Sequence, residues 1–401
     1  MGFAQQVRNG IVDWLFNSAS ITDGIAVNNN PNTAIYVDPK KSLRLSAVYS
    51  CVRVISESLA SLPKSVHRYN GEYDVPVRDH NLYRIIAVEP KDYMTSYDYH
   101  QAFFALALLW GNAYARIERD NNMNVTALHL LHSAHVHPII TEDDALRYVE
   151  YRDGDYKIHR PEDIFHFKMM NYDGITGLSP IEEHKKTVGS ALAANDYIND
   201  FYRNGAKLQG ILSTDQKLDN NQRNNIESSW KSRYGGPSAE YHTPVLEGGL
   251  KYQAMSIPPE DAQYIETRKF NVEDIARIYG VPPHKIGIMD KATYNNVEQQ
   301  NIEFVQDTLR FHIERYENEA KLKLFRENEI NTHSIVFNVE GLLRGDFKTR
   351  TEGYAKLFGI GVLSPNNIRR LEKMAPREDG DSYYTPLNFA KDGRAQESTT
   401  E

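Results

Sequence analysis

Residues 257–325 constrain this chain more than any other stretch. They read as one helix, a proline-punctuated break and a longer helix. The first opens at Pro258-Pro259 and is carried by Tyr264, Ile265, Val272, Ile275, Ile278 and Tyr279. Proline fits a first helical turn, where backbone donors lack partners in any case. Gly280 supplies a left-handed C-terminal cap, and Pro282-Pro283 forbid continuation. After a polar break, a second stripe follows: Ile302, Val305, Leu309, Ile313, Tyr316, Ala320 and Leu324. Steps of three and four are the period of one helix face. No Gly or Pro interrupts residues 296–326, so one helix of about 45 Å is predicted there. That length suits a strut in a larger assembly.

The chain has 401 residues, enough for two or three cores. Hydrophobic content of 40% with 25% charged residues indicates a folded, soluble protein. No run of eighteen apolar residues is present, so no membrane span is expected. The opening Met1-Gly2-Phe3-Ala4 is not expected to be a secretory signal. Cys51 is the single cysteine, which excludes an intrachain disulfide and fits a reducing compartment. Its neighbours Val48, Val52 and Ile55 place it on a buried helix face. The net charge of -8, with no basic run beyond Lys40-Lys41 or Lys185-Lys186, argues against a tight grip on nucleic acid. A DNA partner would slide rather than be held.

Residues 1–16 suggest a short amphipathic helix (Val7, Ile11, Trp14, Leu15), and 17–34 a polar linker. Ser46 is expected to cap a helix ending at Pro63. Residues 64–69 and 75–77 read as a hairpin around Asn70-Gly71. Helices follow over 80–88 and 96–109, then a strand over 110–118. Residues 128–140, 146–152 and 156–159 are predicted as a β-meander, turning at Asp153-Gly154, with another strand over 164–169. This first part is α+β. Ser179, Pro180 and Glu182 form a capping box for a helix reaching about Asn204. Residues 209–255 read as a small β-α-β-β unit between two helices, a knob on a stalk. A strand over 334–338, a helix from Gly345-Asp346 to Leu357 and a last helix capped by Ser364 complete the folded chain. The tail from Asn388 is polar and expected to be disordered.

Catalytic signatures are missing. There is no P-loop, Gly-x-Gly-x-x-Gly, Gly-x-Ser-x-Gly or His-Glu-x-x-His. His129, His132, His135 and His137 cluster, yet a half-exposed sheet face explains them better than a metal. Carboxylate pairs such as Glu182-Glu183 and Glu273-Asp274 are adjacent, and helix neighbours point about 100° apart, so they do not converge. The break at 285–296 is the place where function is most credible. It offers Lys285, Lys291, Thr293, Tyr294, Asn295 and Asn296 between stiff helices. An ordinary helix connection is the competing reading.

The segments Pro258-Pro259-Glu260-Asp261, Ile275-Ala276-Arg277-Ile278-Tyr279-Gly280-Val281-Pro282-Pro283 and Thr293-Tyr294-Asn295-Asn296 resemble the HK97-type portal proteins of tailed bacteriophages. Weaker echoes lie at Gly111-Asn112-Ala113-Tyr114, at Gly177-Leu178-Ser179-Pro180-Ile181, and at 361–370 with Gly380-Asp381. The resemblance covers roughly residues 45–390. Met374-Ala375-Pro376 departs from the family's Leu-Pro-Pro-like turn. The resemblance implies a ring-forming, multidomain α+β portal fold, typically of twelve subunits at one capsid vertex. Its parts would be a flexible N-terminal segment (1–34), a wing (35–176 and 297–344), stem helices (177–207 and 258–284), a small α/β clip (208–257), a tunnel loop (285–296), a helical crown (345–376) and a C-terminal tail (377–401). It implies passing double-stranded DNA, docking to the terminase large subunit and then to head-completion or adaptor proteins, and contact with major capsid and scaffolding proteins. It implies no cofactor, metal or membrane, and a place in the virion after assembly in the host bacterial cytoplasm.

The expected function is therefore a conduit for DNA packaging and ejection, not a catalyst. Mixed charges on the first stem helix, Glu182, Glu183, Asp196 and Asp200 against Lys185, Lys186, Arg203 and Lys207, suit pairing between neighbours, at about 0–1 kcal/mol per exposed pair. The competing functions are a metal-dependent nucleic-acid-processing enzyme and another head-tail connector ring protein.

Overall fold

The computed structural model describes residues 37–152, 154–203, 210–214, 218–234, 249–254, 261–288, 300–339, 342, 347–372 and 374–383. The chain divides into two compact units, Met1–Ala292 with Gln306–Asn338, and Thr293–Val305 with Val339–Glu401.

The larger unit begins with α1 (Pro39–Ser42), α2 (Ser46–Ser61), β1 (Lys64–Tyr69), β2 (Asp74–Pro76), α3 (Asn81–Ala87) and α4 (Ser96–Trp110). Next come β3 (Asn112–Arg119), β4 (Val125–Leu131), β5 (Val136–Ile140), β6 (Leu146–Arg152), β7 (Asp155–His159) and β8 (Ile164–Lys168). Then follow α5 (Pro180–Glu183), α6 (Lys185–Arg203), β9 (Gly210–Ser213), α7 (Asn220–Tyr234), β10 (Lys251–Ala254), α8 (Asp261–Tyr279), α9 (Arg310–Leu324) and β11 (His333–Phe337). The smaller unit carries α10 (Phe347–Gly359) and α11 (Pro365–Leu371). The mixture of helices and small antiparallel sheets is the α+β class expected.

The sheets differ from the sequence reading in one respect. Residues 128–140 are not one strand of a meander. A 3-10 turn, Ser133–His135, divides them, and β4 joins β3 and β8 while β5, β6 and β7 form the meander. The Ser133 hydroxyl, buried, donates to Asn112 O at 2.7 Å, which pins that turn beneath β3. β11 returns from far along the chain to pair with β1, from Lys64↔Phe337 to Arg68↔His333.

An aromatic block fills the core. Tyr99, Phe103 and Phe104 from α4 meet Phe165 and Phe167 from β8 and Tyr316 from α9, all at most 2% exposed. Each such side chain contributes about 1.5–3 kcal/mol by burial. His100 is buried among them, and burial holds its pKa well below the usual histidine range. The ring is therefore neutral: Nδ1–H donates to Ser96 O at 2.7 Å, and Nε2 accepts from the Tyr316 hydroxyl at 3.0 Å. Of the predicted stripe of the long helix, Val305, Leu309, Ile313, Tyr316, Ala320 and Leu324 are buried, while Ile302 is half-buried. Cys51 is fully buried as expected, with its thiol pushed up to about 12 by desolvation.

Three local expectations need correction. Ser46 lies inside α2; Leu45 occupies the cap position and makes no side-chain cap bond. The helix from Pro180 breaks at His184 before α6 begins. The long helix is not uninterrupted α-helix: Phe304–Leu309 form a π turn, which the sequence cannot signal because no Gly or Pro marks it. The predicted N-terminal helix and linker, Asp153 of the turn Asp153-Gly154, the first turn at Pro258-Pro259, the strand expected within 243–248, Gly345-Asp346 and the tail from 388 lie outside the described residues.

Lys64 is 6% exposed, with Nζ donating to Ala60 O at 2.8 Å and Leu62 O at 3.0 Å at the end of α2. Desolvation lowers its pKa to about 7. Between that value and the unfolded lysine value near 10.4, the unfolded chain holds a proton that the folded chain lacks. Raising the pH across this window therefore favours folding. Urea titrations at pH 7 and pH 10 are expected to show wild type gaining stability relative to Lys64→Met as pH rises; parallel curves would refute the assignment.

Candidate functional site

A helix end leaves its last four carbonyls without intrahelical acceptor bonds beyond the cap. The end of α4 is buried, and each carbonyl has a partner. Ala107 O accepts from Gly111 N–H at 2.8 Å, and Trp110 O from the Asn112 side-chain amide at 3.3 Å. Leu108 O accepts from the Tyr279 hydroxyl at 3.3 Å, and Leu109 O from the Ser179 hydroxyl at 2.8 Å. Tyr279 is the last residue of α8, and Ser179 is the N-cap of α5, which leads into α6. Two long helical arms, α6 and α8, are thus rooted on one helix end. They also pack against each other.

The joint leaves no room. Gly111 has φ 78°, and a Cβ there would lie 2.4 Å from the Leu178 carbonyl carbon. A Cβ on Gly177 would lie 2.1 Å from Gly111 O. Asn112 closes it: Nδ2 donates to Gly177 O at 2.8 Å, and Oδ1 accepts from Gly177 N–H at 2.7 Å. The same Oδ1 accepts from His166 Nε2 at 2.9 Å, so that nitrogen carries the proton. His166 Nδ1 in turn accepts from the Tyr148 hydroxyl at 3.0 Å, and burial keeps the ring neutral by pulling its pKa well below the usual range.

Directly after Tyr279, at the same end of α8, lies the proline-punctuated break. Gly280 has φ 64°; its N–H bonds Arg277 O at 3.1 Å, and Val281 N–H bonds Ala276 O at 2.9 Å. That pair of bonds is a Schellman cap, and its apolar partners Ala276 and Val281 are buried. The 3-10 turn Pro283–Ile286 then ends in the same way. Gly287 at φ 88° bonds His284 O at 3.2 Å, and Ile288 N–H bonds Pro283 O at 3.1 Å. The Thr308 hydroxyl, in the π turn, donates to Gly280 O and ties the break to the long helix.

Lys285 sits in that 3-10 turn, half-buried, with its pKa lowered by burial. The turn packs against α2. Lys291, Thr293, Tyr294, Asn295 and Asn296 lie outside the described residues. The four histidines flagged earlier do not converge on one point: His129 Nε2 meets Glu118 at 2.5 Å, while the His132 and His135 rings lie tilted against each other. Among the described residues, no group of three His, Cys, Asp or Glu side chains is placed to hold a metal ion, and no helix is long and apolar enough to cross a membrane. The joint's polar side chains bond backbone, so its chemistry is orientation of helices. Sequence reasoning missed Asn112, Tyr279 and Thr308 as anchors. The signal available for the first was the pairing of two glycine-bearing motifs, Gly111-Asn112 and Gly177, which touch in space.

Residues 46–373 match the family model described as phage portal protein. The chain is 34% identical over 362 residues to the portal protein of Enterobacteria phage HK97, covering 88% of this chain and 85% of that protein. It is 29% identical over 382 residues to a probable portal protein of Streptomyces phage phiC31, covering 90% and 82%. Among solved structures, a chain from the neck of an empty gene transfer agent particle, computed with C6 symmetry, superposes with TM-score 0.60 at 21% identity, covering 85% of this chain and 95% of that one. An HK97 family phage portal protein from Corynebacterium diphtheriae gives TM-score 0.56 at 17% identity, covering 76% and 96%. At those identities the structural likeness speaks for the fold.

Removing single anchors is expected to have graded effects on urea unfolding. Tyr279→Phe orphans one buried carbonyl, about 1 kcal/mol. Ser179→Ala loses that kind of bond and an N-cap as well, about 2 kcal/mol. Gly177→Ala forces backbone apart and is expected to cost more than either, above about 3 kcal/mol. Equal midpoints for Gly177→Ala and wild type would disprove the close approach.

Proposed function

The chain belongs to the phage portal protein family, and from that premise we propose that it closes into a ring whose channel passes double-stranded DNA at one capsid vertex. The observation that carries this reading is the pair of arms, α6 and α8, rooted together on the end of α4. In sequence they bracket the module of β9, α7 and β10, in which β9 pairs antiparallel with β10. Two stiff helices bearing a small head are the stem and clip of such a conduit. The body from α1 to β8 with α9 and β11 is the wing, and α10 with α11 the crown.

In this reading the ring holds twelve copies joined head to tail, each offering two different faces to its neighbours. The net charge of -8 suits passage, because each phosphate gripped adds affinity and steepens salt dependence. The break beginning at Lys285 is the tunnel loop, with Lys291, Thr293, Tyr294, Asn295 and Asn296 as its DNA-facing residues. The two successive glycine caps at Gly280 and Gly287 and the Thr308 bond support that role, since they fix the direction in which the chain departs. The clip docks the terminase large subunit during packaging and head-completion or adaptor proteins afterwards. Major capsid and scaffolding proteins surround the wing. The protein works as a conduit and platform, while an ATP-hydrolysing motor supplies force. It is assembled in the bacterial cytoplasm and ends in the virion.

Native mass spectrometry is expected to show a closed species near 552 kDa, about twelve copies of 46.0 kDa each. A strictly monomeric protein at high concentration would end the ring reading. Deleting residues 289–296 is expected to leave rings of the same copy number, each copy lighter by eight residues, yet to reduce packaged DNA sharply. Unchanged phage yield would remove the loop from the channel.

A further inference from the structure

Asn112, His166 and Tyr148 come from three different strands, β3, β8 and β6, and all three are buried. Their side chains form one unbroken line of hydrogen bonds. The line starts at Gly177, whose N–H and C=O both meet the Asn112 amide, and runs through His166 to the Tyr148 hydroxyl. A backbone N–H can only donate and a C=O can only accept. Gly177 therefore fixes which end of the amide is oxygen, and each later member inherits the direction. The Oδ1 turned to Gly177 N–H is the same atom that His166 Nε2 meets, so Nε2 carries hydrogen. Nδ1 is left as the acceptor, and the Tyr148 hydroxyl must donate. No member can reverse alone without setting two donors or two acceptors face to face.

The imidazole is also held in place. Tyr114 lies against it with 4.3 Å between ring centroids, and the Tyr148 ring stands at 90° to it, 5.4 Å away. Burial, with Lys168 of β8 and Lys323 of α9 nearby, keeps it uncharged. Lys168 is opposite Asn112 in the β3–β8 register, and Glu319 of α9 lies near Tyr148. The two ends of the line belong to different parts of the fold. Tyr148 is in the meander of β5, β6 and β7, while Gly177 leads into α5 and α6. The outer end of the meander stands in solvent, with Tyr151, Arg152, Asp155, Tyr156 and Lys157 exposed.

We propose that this line is a conformational latch, in which Tyr148 and His166 are positioning residues that keep the Asn112 amide closed on Gly177, so that displacing the meander releases the root of the arms. Moving Tyr148 by about 1 Å takes its 3.0 Å bond to His166 beyond hydrogen-bond range. His166 Nδ1 is then no longer pinned as an acceptor, and the tautomer with hydrogen on Nδ1 becomes accessible. That tautomer turns a bare Nε2 toward Asn112 Oδ1, and their repulsion favours the flipped amide. A flipped amide opposes both backbone groups of Gly177, and the joint opens. The latch lies within one subunit, so its test is separate from that of ring closure.

Two variants of the full-length chain test this. Asn112→Asp keeps the shape but sets an oxygen against Gly177 O, and a proton on that carboxyl restores the missing donor. Lys168 and Lys323 favour the carboxylate, while burial and Glu319 favour the neutral form. A folded-state pKa above the unfolded carboxylate value means stability that is lost as pH rises, so the defect grows with pH. The ratio of its unfolding constant to that of wild type is expected to fall about ten-fold or more from pH 8 to pH 5. In Tyr148→Phe, amide exchange over residues 177–183 is expected to quicken about ten-fold or more, with residues 46–61 unchanged. A ratio that does not change with pH overturns the latch. Exchange at 177–183 as slow as in wild type, with only 136–159 quickened, overturns it as well. Equal quickening at 46–61 also overturns it, because that is general loosening and not release of one joint.

Discussion

The buried end of α4 is the constraint on which the larger unit depends. Water cannot satisfy carbonyls there, and a buried orphan costs about 1–3 kcal/mol. Leu108 and Leu109 lie beyond the reach of the cap at Gly111, so their partners come from elsewhere in the chain. Those partners are Tyr279, 171 residues away, and Ser179, 70 residues away. Each belongs to a different helical arm. The need of one helix end for donors thus fixes where both arms start. The two glycines then set how closely α4 and the approach to α5 come together, with Asn112 bonding both backbone groups of Gly177.

Much of the fold was legible because its signals are local. β1 begins and ends where the residue pattern places it, and Ser364 caps α11 through Asn367 N–H at 3.2 Å. Gly280 takes the left-handed conformation its position next to Pro282 requires. What failed was either tertiary or unmarked. The division of residues 128–140 follows from Ser133 reaching Asn112, a contact that no alternation of side chains encodes. The π turn places Thr308 where its hydroxyl meets Gly280 O, again a long-range demand. At the candidate site the glycine cap at Gly280 was readable, but the anchors were not: periodicity reports which face is buried, not which carbonyl a hydroxyl will find.

The motifs that looked weakest individually turn out to share one design. Gly111-Asn112 and Gly177 meet as a glycine contact closed by an asparagine amide. Asn366 and Gly380 repeat it: a Cβ on Gly380 would lie 2.3 Å from Asn366 Oδ1, and Asn366 N–H bonds Gly380 O at 2.7 Å. An asparagine side chain carries both a donor and an acceptor, as a peptide group does. It can therefore substitute for a missing backbone neighbour where two segments cross without forming a sheet. The glycine is needed because any side chain would hold the segments apart.

Such joints matter more in a ring than in a lone molecule. In the proposed ring of twelve, successive copies would turn by roughly 30°, and a consistent error of about 2–3° per copy would accumulate to a whole subunit around the circle. An apolar joint tolerates sliding of that size, because hydrophobic contact is non-directional. Hydrogen bonds weaken steeply as they misalign, and backbone contacts under 3 Å leave no slack. Rooting both arms through Ser179, Tyr279 and Asn112 fixes their angle to the body by directional bonds, at little apolar area. The arms' orientation is then a property of each subunit before it meets another.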